Sequence, residues 1–267
     1  MKRSLLMIHG VGCGGEVWDT MRPIFEARGW ICHAPTLFED QRTIDAPPLS
    51  LPELRLKDYV AASGEAACKI EAETGDRPVV LGHSMGGLIA QKLVELGAAR
   101  AGVFLTPAQT ADCQSPSPAV IFTFANIAFT PPAKMTAKSF KVWKTGFHWG
   151  VLNAVPHADR AKIYANARYD SGGVFADLSA PDDAVDDAGR VDLSRIVVPT
   201  LTIGAAKDRA TTAKAVRKVG AKYARAPKPG CYKEYADNGH WILGEPGADR
   251  VASDIADWLE QEAPALV

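Results

Sequence analysis

Six short apolar runs recur along the chain and alternate with longer stretches whose apolar residues repeat every three to four positions. The runs have the length and composition of buried strands, and the last of them is the weakest. Strands that alternate with helices predict an open α/β fold, with a mostly parallel sheet of about six strands and helices on both faces. Sites in such sheets lie at the carboxyl ends of the strands. The predicted strands are SLLMI (4–8), WICHA (30–34), PVVLG (78–82), GVFLT (102–106), PTLTIG (199–204) and CYKEYA (231–236).

The alternation stops between Pro107 and about Leu193. This segment contains many of the aromatic residues and ends in PDDAVDDAGR, an acidic stretch typical of a solvated linker. We therefore predict a core formed by residues 1–106 and 194–267. Residues 107–193 are predicted to form a helical cap, or lid, inserted over the carboxyl edge of the sheet.

Composition narrows the range of partners. The formal net charge is −1 and charges of both signs are mixed, which argues against a nucleic-acid partner. No apolar run is as long as a membrane span, and the apolar part of MKRSLLMIHG is too short for a signal peptide. The five cysteines form no C-x-x-C pair, so neither a disulfide framework nor a zinc site is predicted. These features predict a cytoplasmic protein without an integral membrane segment and leave the oligomeric state open.

The segment GHSMG (82–86) follows the third predicted strand, opens a helix and fits the pattern G-x-S-x-G. At a strand-to-helix turn this pattern is typical of a nucleophile elbow, in which the serine hydroxyl projects and the glycines let the backbone cross closely. The alternative is that Ser84 only caps the helix. A capping box would place Glu or Gln three residues later, where Gly87 stands, so the pattern favours a nucleophilic role.

A serine hydroxyl needs a base to become a nucleophile. His240 lies in the loop DNGHWILGEPG, on the same predicted sheet edge as Ser84, and is the candidate base. Asp208, in the loop AAKDRA after the fifth strand, is the candidate acid that orients the base, and the order Ser, Asp, His is typical of this architecture. Asp208 has an alternative role as the cap of a helix starting near Thr211, and Asp112 is the reserve candidate for the acid.

The glycine-rich stretch HGVGCGG (9–15) follows the first predicted strand. The N–H groups of Val11 and Met85 are predicted to form an oxyanion hole. His9 and His83 lie within glycine-rich turns, and we expect a positional role for both. The phosphate-loop pattern G-x-x-x-x-G-K-[ST] is absent and G-x-G-x-x-G does not fit, which argues against a nucleotide site. No cofactor and no metal are predicted.

Within the predicted cap, AKMTAKSFKVWKTGFHW (133–149) places lysines along one side of a helix and aromatic residues along another. The first interpretation is an amphipathic helix with solvated lysines and a packed aromatic face. The alternative is that the aromatics line an acyl or aromatic pocket while the lysines attract an anionic substrate or a lipid surface. The candidate substrate-binding residues are Trp143, Phe147 and Trp241.

Three motifs, in this order along the chain, carry a family resemblance. The HG…W segment of residues 9–18, the GHSMGG turn and the terminal GHWILGEP resemble motifs of the α/β-hydrolase superfamily, in its serine-nucleophile esterase and lipase-like branch. The resemblance covers the chain except for the predicted cap. It implies Ser84 as nucleophile, His240 as base, Asp208 as acid, and Val11 and Met85 as the oxyanion hole.

The chain also departs from that superfamily. The first predicted strand begins almost at Met1, which predicts a compact version without the usual leading pair of strands. The loop APTLFEDQRTIDAPP replaces the common D-x-x-G-x-G, so the entrance to the pocket is expected to differ. Hydroxynitrile lyases of this fold carry lysine directly after the histidine, whereas Trp241 stands here, which weakens the lyase hypothesis.

The leading hypothesis is a serine hydrolase that cleaves a small or medium carboxylic ester, lactone or thioester bearing an apolar group. One alternative is other chemistry on the same fold, such as C–C bond hydrolysis, perhydrolysis or a lyase step. Another is a ligand receptor with a relict triad. The specificity of such a protein is expected to depend on the predicted cap.

Overall fold

The computed structural model describes residues 3–262. Within them the strands are β1 (Arg3–Ile8), β2 (Trp30–His33), β3 (Val79–His83), β4 (Ala101–Leu105), β5 (Ser139–Phe140), β6 (Asp170–Ser171), β7 (Thr200–Ala205) and β8 (Cys231–Tyr235). Six of them form the main sheet in the order β2-β1-β3-β4-β7-β8, and every neighbouring pair is parallel. This confirms the predicted α/β fold class with a sheet of about six strands.

Helices pack on both faces of this sheet and create two apolar layers. Leu5 and Met7 of β1 belong to one layer, whereas Leu6 and Ile8 belong to the other, as the two-residue period of a strand requires. Full burial of each such side chain stabilises the fold by roughly 1.5–3 kcal/mol. The helices are α1 (Arg22–Ala27), α2 (Leu56–Thr74), α3 (Met85–Glu95), α4 (Pro118–Thr123), α5 (Ala125–Ala128), α6 (Pro132–Met135), α7 (Lys144–Gly146), α8 (His157–Ala165), α9 (Gly172–Ser179), α10 (Ala213–Tyr223) and α11 (Ala248–Gln261).

The first layer lies under α1 and α11, and the second lies under α2, α3 and α10. The apolar repeat near the chain end forms the buried stripe of α11, where Val251, Ile255 and Leu259 are inaccessible to solvent. No helix within residues 3–262 combines the length and apolar character needed to cross a bilayer.

Residues 107–193 run between β4 and β7 and contain short helices and a two-stranded antiparallel sheet of β5 and β6. The prediction of a single amphipathic helix at 133–149 is wrong. The stretch is divided into α6, β5, α7 and a π-helical turn at Phe147–Val151. The reason is tertiary pairing, because Ser139 lies opposite Ser171 and Phe140 lies opposite Asp170, and this pairing overrides the helical spacing. The division into core and cap stays a prediction.

The turn between β3 and α3 depends on a very close approach of three backbone segments. A Cβ atom at Gly82 would overlap the carbonyl oxygen of Gly86. A Cβ atom at Gly86 would overlap the carbonyl oxygen of Ile8 and lie 2.6 Å from that of His9. The two glycines therefore let α3 begin directly against the end of β1.

We expect Gly86→Ala to lower the free energy of unfolding by about 3 kcal/mol or more, because the new methyl group meets backbone that has no room to move. Gly64→Ala is the matched control. Gly64 lies in α2, and its nearest neighbour for a new Cβ is Leu93 Cδ2 at 3.8 Å. This control is expected to be neutral or stabilising by up to about 1 kcal/mol. Denaturant titration measures both; a loss below about 1 kcal/mol for Gly86→Ala would contradict the packing argument.

Candidate functional site

Ser84 is the single residue between β3 and α3. Its backbone has φ 57° and ψ −119°, a region that costs a non-glycine residue on the order of 1–3 kcal/mol. The turn is held because the Ser84 N–H donates to the Leu105 carbonyl at 3.1 Å, and the Ser84 carbonyl accepts from the Ala108 N–H at 2.8 Å. The Ser84 side chain makes no capping hydrogen bond to α3. The capping alternative therefore does not account for this residue.

His240 and Asp208 are buried and lie side by side. His240 Nδ1 is 2.9 Å from Asp208 Oδ2, and the Thr211 hydroxyl donates to the same oxygen at 2.9 Å. Asp208 Oδ1 accepts from the N–H groups of Ala210 at 2.7 Å and Thr211 at 2.8 Å. Asp208 thus contacts the predicted base and also caps the turn that precedes α10.

Opposing influences act on the pKa of Asp208. Burial acts to raise it, but the charge of His240 and the hydrogen bonds from His240, Thr211 and Ala210 outweigh burial. The pKa of the Asp208 carboxyl therefore lies below its ordinary value, and the group is ionised near neutral pH.

His83 joins the Ser84 turn to the loop of His240. Its Nε2–H donates to the His240 carbonyl at 2.8 Å, and the two imidazole centroids are 4.8 Å apart. Burial, followed by the nearby His240, lowers the pKa of His83 to about 3, so its ring is neutral. No hydrogen bond joins Ser84 to His240 within the described part of the chain. The positional role expected for His83 agrees with these contacts.

Glu245 is a site residue that the sequence patterns did not single out. Its buried carboxylate accepts from the Gly239 N–H at 2.7 Å through Oε2 and from the Trp241 N–H at 3.1 Å through Oε1. These N–H groups flank His240, so Glu245 fixes the backbone on both sides of the imidazole. Burial raises the pKa of Glu245 even though its hydrogen bonds act in the opposite direction. Its place in the GHWILGEP motif, five residues after His240, was the signal that could have identified it.

The loop after β1 lies directly against the Ser84 turn. A Cβ atom at Gly10 would approach the Ser84 Cβ to 2.9 Å. Val11 follows Gly10, and Met85 is the first residue of α3, where an N–H has no intrahelical partner. Neither the Val11 N–H nor the Met85 N–H has a hydrogen-bond partner among residues 3–262.

A cavity of about 180 Å³ lies between the loop after β1, the loop before α11 and the 107–193 segment. Phe147 and Trp241 both line it, with ring centroids 6.1 Å apart. Trp143 does not line this cavity. Its Nε1–H donates to the Thr123 carbonyl at 3.1 Å, and its ring packs against Phe122 with centroids 5.5 Å apart.

Asp112, the reserve candidate for the acid, is paired with Lys222 at 2.9 Å and accepts from the Thr110 hydroxyl at 2.6 Å. Asp208 is the carboxylate that contacts His240. Among residues 3–262, no group of three or more His, Cys, Asp or Glu side chains is arranged to hold a metal ion.

Comparison with known proteins agrees with this architecture. The alpha/beta hydrolase family matches residues 5–254 of the chain. No curated protein matches it. A pyrethroid hydrolase from Sphingobium faniae JZ-2 superposes with a TM-score of 0.68 at 19% identity, covering 98% of this chain and 99% of that chain.

Two further structures are similar in the same way. A methylesterase from Arabidopsis has a TM-score of 0.68 at 14% identity, with 97% of this chain and 99% of that chain covered. A monoacylglycerol lipase from Paleococcus ferrophilus has a TM-score of 0.67 at 18% identity, with 96% and 93% covered. These identities establish likeness of fold. With the family match over residues 5–254 and a six-stranded parallel sheet, the chain belongs to the alpha/beta hydrolase family.

Proposed function

We propose that this protein is a serine hydrolase that cleaves a small or medium carboxylic ester, or a lactone or thioester, through an acyl-enzyme. The observation that carries the proposal is the strained Ser84 turn next to the hydrogen-bonded pair of His240 and Asp208. Strained backbone of this kind persists only where the surrounding structure enforces it, and it concentrates at functional sites.

In the proposed reaction, Ser84 Oγ attacks the carbonyl carbon while His240 Nε2 takes the hydroxyl proton. The contact between His240 Nδ1 and Asp208 Oδ2, at 2.9 Å, favours the tautomer that leaves Nε2 free to accept. The ionised Asp208 then stabilises the imidazolium. The proposed hydrogen bond from Ser84 to His240 is not formed among residues 3–262. Catalytic hydrogen bonds are often long without substrate and shorten in the complex.

Negative charge develops on the carbonyl oxygen as the tetrahedral intermediate forms. The N–H groups of Val11 and Met85 are the proposed donors to this oxygen. Two observations support this choice. Met85 directly follows Ser84 and Val11 directly follows Gly10, which lies against Ser84, and neither N–H has a hydrogen-bond partner among residues 3–262. His240 then protonates the leaving alcohol or thiol, and water activated by His240 releases the acid and restores Ser84.

The proposed substrate carries an apolar group. Ser84 and His240 do not line the cavity of Phe147 and Trp241, but Trp241 directly follows His240 in the chain. A substrate group next to His240 would therefore meet aromatic walls, which favour apolar ligand surface. Trp241 packs against Phe147 where the lyases of this fold carry lysine, which supports hydrolysis over a lyase step. The names of the structural relatives, a pyrethroid hydrolase, a methylesterase and a monoacylglycerol lipase, are consistent with this choice.

A fluorophosphonate probe is expected to label the wild-type protein and to leave Ser84→Ala unlabelled. Turnover of p-nitrophenyl butyrate by Ser84→Ala is expected to fall by about 10⁴-fold or more. Ser63→Ala is the matched control, since Ser63 is also buried and its hydroxyl has no hydrogen-bond partner within residues 3–262. Full turnover in Ser84→Ala would overturn the proposal.

The identity of the acid is tested by comparing Asp208→Asn with Asp112→Asn. The first substitution removes the acceptor for His240 Nδ1, and kcat is expected to fall by about 10²- to 10⁴-fold with probe labelling slowed in parallel. The second removes the charge that pairs with Lys222 and accepts from Thr110, away from His240, and is expected to change kcat less than about twofold. An equal loss in both variants would contradict the assignment of Asp208.

A further inference from the structure

A charged pair is buried beneath the loop that follows β1. Arg42, from the loop after β2, and Asp170, from β6, are both inaccessible to solvent. Arg42 Nε donates to Asp170 Oδ1 and Arg42 Nη2 donates to Oδ2, each at 2.8 Å. The Tyr59 hydroxyl donates to Oδ1 at 2.5 Å. Burying two charges costs free energy, so a gain in stability does not by itself explain why this fully hydrogen-bonded pair is present.

The pair is bonded to the backbone on the carboxyl side of Val11. Asp170 Oδ2 accepts from the Gly12 N–H at 2.6 Å, and Arg42 Nη2 donates to the Cys13 carbonyl at 2.8 Å. The Gly12 carbonyl accepts from the Arg168 N–H at 2.8 Å, two residues before Asp170 in the chain. Residues 168–170 therefore bind both the N–H and the carbonyl of Gly12.

His9 links Arg42 to the backbone on the amino side of Val11. His9 Nδ1–H donates to the Gly10 carbonyl at 2.9 Å, while Nε2 accepts from the Leu37 N–H at 3.0 Å and faces Arg42 Nη1 at 3.2 Å. This pattern requires a neutral ring. Burial, followed by the charge of Arg42, lowers the pKa of His9 to about 3 and so keeps it neutral.

The Gly10 carbonyl and the Val11 N–H belong to one planar trans peptide, so they point in opposite directions. Fixing the carbonyl through His9 therefore fixes the direction of the N–H. Because His9 is held by Arg42 and Arg42 by Asp170, the orientation of the Val11 N–H depends on a carboxylate in the 107–193 segment.

We propose that Asp170 is a positioning residue that, through Arg42, His9 and the Gly12 N–H, aims the Val11 N–H at the substrate oxyanion. This inference rests on the proposed hydrolase function and adds to it the group that orients one oxyanion donor. Transition-state stabilisation then requires that residues 168–170 stay bonded to the loop after β1, although Asp170 itself does not contact the substrate.

Asp170→Asn tests the proposal, because asparagine keeps the size of aspartate but replaces one acceptor oxygen with an NH₂ group. With p-nitrophenyl butyrate, kcat is expected to fall by about 10- to 100-fold, while KM changes less than about threefold. This fall is no larger than the fall in kcat that removal of an oxyanion-hole donor causes. The kcat is normalised to sites titrated with the fluorophosphonate, so partial unfolding does not imitate the effect.

A second readout reports on the oxyanion itself. An aliphatic trifluoromethyl ketone adds to the serine and places a charged oxygen in the oxyanion hole. Its inhibition constant is expected to rise by the same factor as kcat/KM falls. A purely structural role for Asp170 would leave this constant unchanged in the folded fraction of the variant.

Asp177→Asn is the matched control. Asp177 is also a buried carboxylate of the 107–193 segment that accepts from an arginine, Arg55 Nε at 3.0 Å, and from a backbone N–H, that of Leu56 at 2.9 Å. Those contacts hold the start of α2 and not the loop after β1, so kcat per titrated site should stay unchanged.

The outcomes separate the two proposals. If wild-type hydrolysis persists in Ser84→Ala, the proposed function fails. If hydrolysis depends on Ser84 but Asp170→Asn and Asp177→Asn behave alike, the positioning role of Asp170 is overturned.

Should Asp170→Asn not fold, Arg42→Lys takes its place. It keeps the buried charge but lacks the planar fork that reaches Cys13, Leu37 and His9, and the same changes in kcat and inhibition constant are expected.

Discussion

The crossing of β1, β3 and α3 is the constraint on which the rest of the site depends. Gly82 and Gly86 bring α3 against the carbonyl groups at the end of β1, closer than any side chain permits. One consequence is that Ser84 is forced into a positive φ at the apex of the turn. Another is that the loop after β1 is pressed against Ser84, with Gly10 at the contact.

The loops around this crossing are held by buried carboxylates. Asp208, Glu245 and Asp170 each accept at least one backbone N–H, and Asp208 and Asp170 each also face a cationic or imidazole side chain. Loops at the carboxyl edge of a parallel sheet have few backbone partners of their own. Ionised carboxylates satisfy several N–H groups at once, and bonds to a charged acceptor are stronger than neutral ones. These hydrogen bonds hold the loop backbone at the edge of the sheet, where the proposed chemistry requires fixed distances.

The sequence predicted the sheet and placed Asp208 and His240 at the same sheet edge, with Asp112 kept as the alternative acid. Both rest on local signals, since apolar runs mark strands and parallel strands bring their carboxyl ends to one edge. Asp170 and Arg42 were not predictable in this way. They are 128 positions apart in the chain, and each stands in a stretch whose composition is typical of a surface loop. The helix expected at 133–149 failed for a related reason, because β5 exists only through its pairing with β6.

The central claim is that Ser84 becomes acylated, and peptide mass spectrometry after rapid acid quench tests it most directly. The protein is mixed with p-nitrophenyl acetate, quenched within one turnover and digested, and the modified peptide is sequenced. The expected result is a mass increase of one acetyl group on the peptide of residues 70–92, located on Ser84. An acetyl group that accumulates on another residue, or ester hydrolysis in which no acetylated Ser84 forms at any quench time, would contradict it.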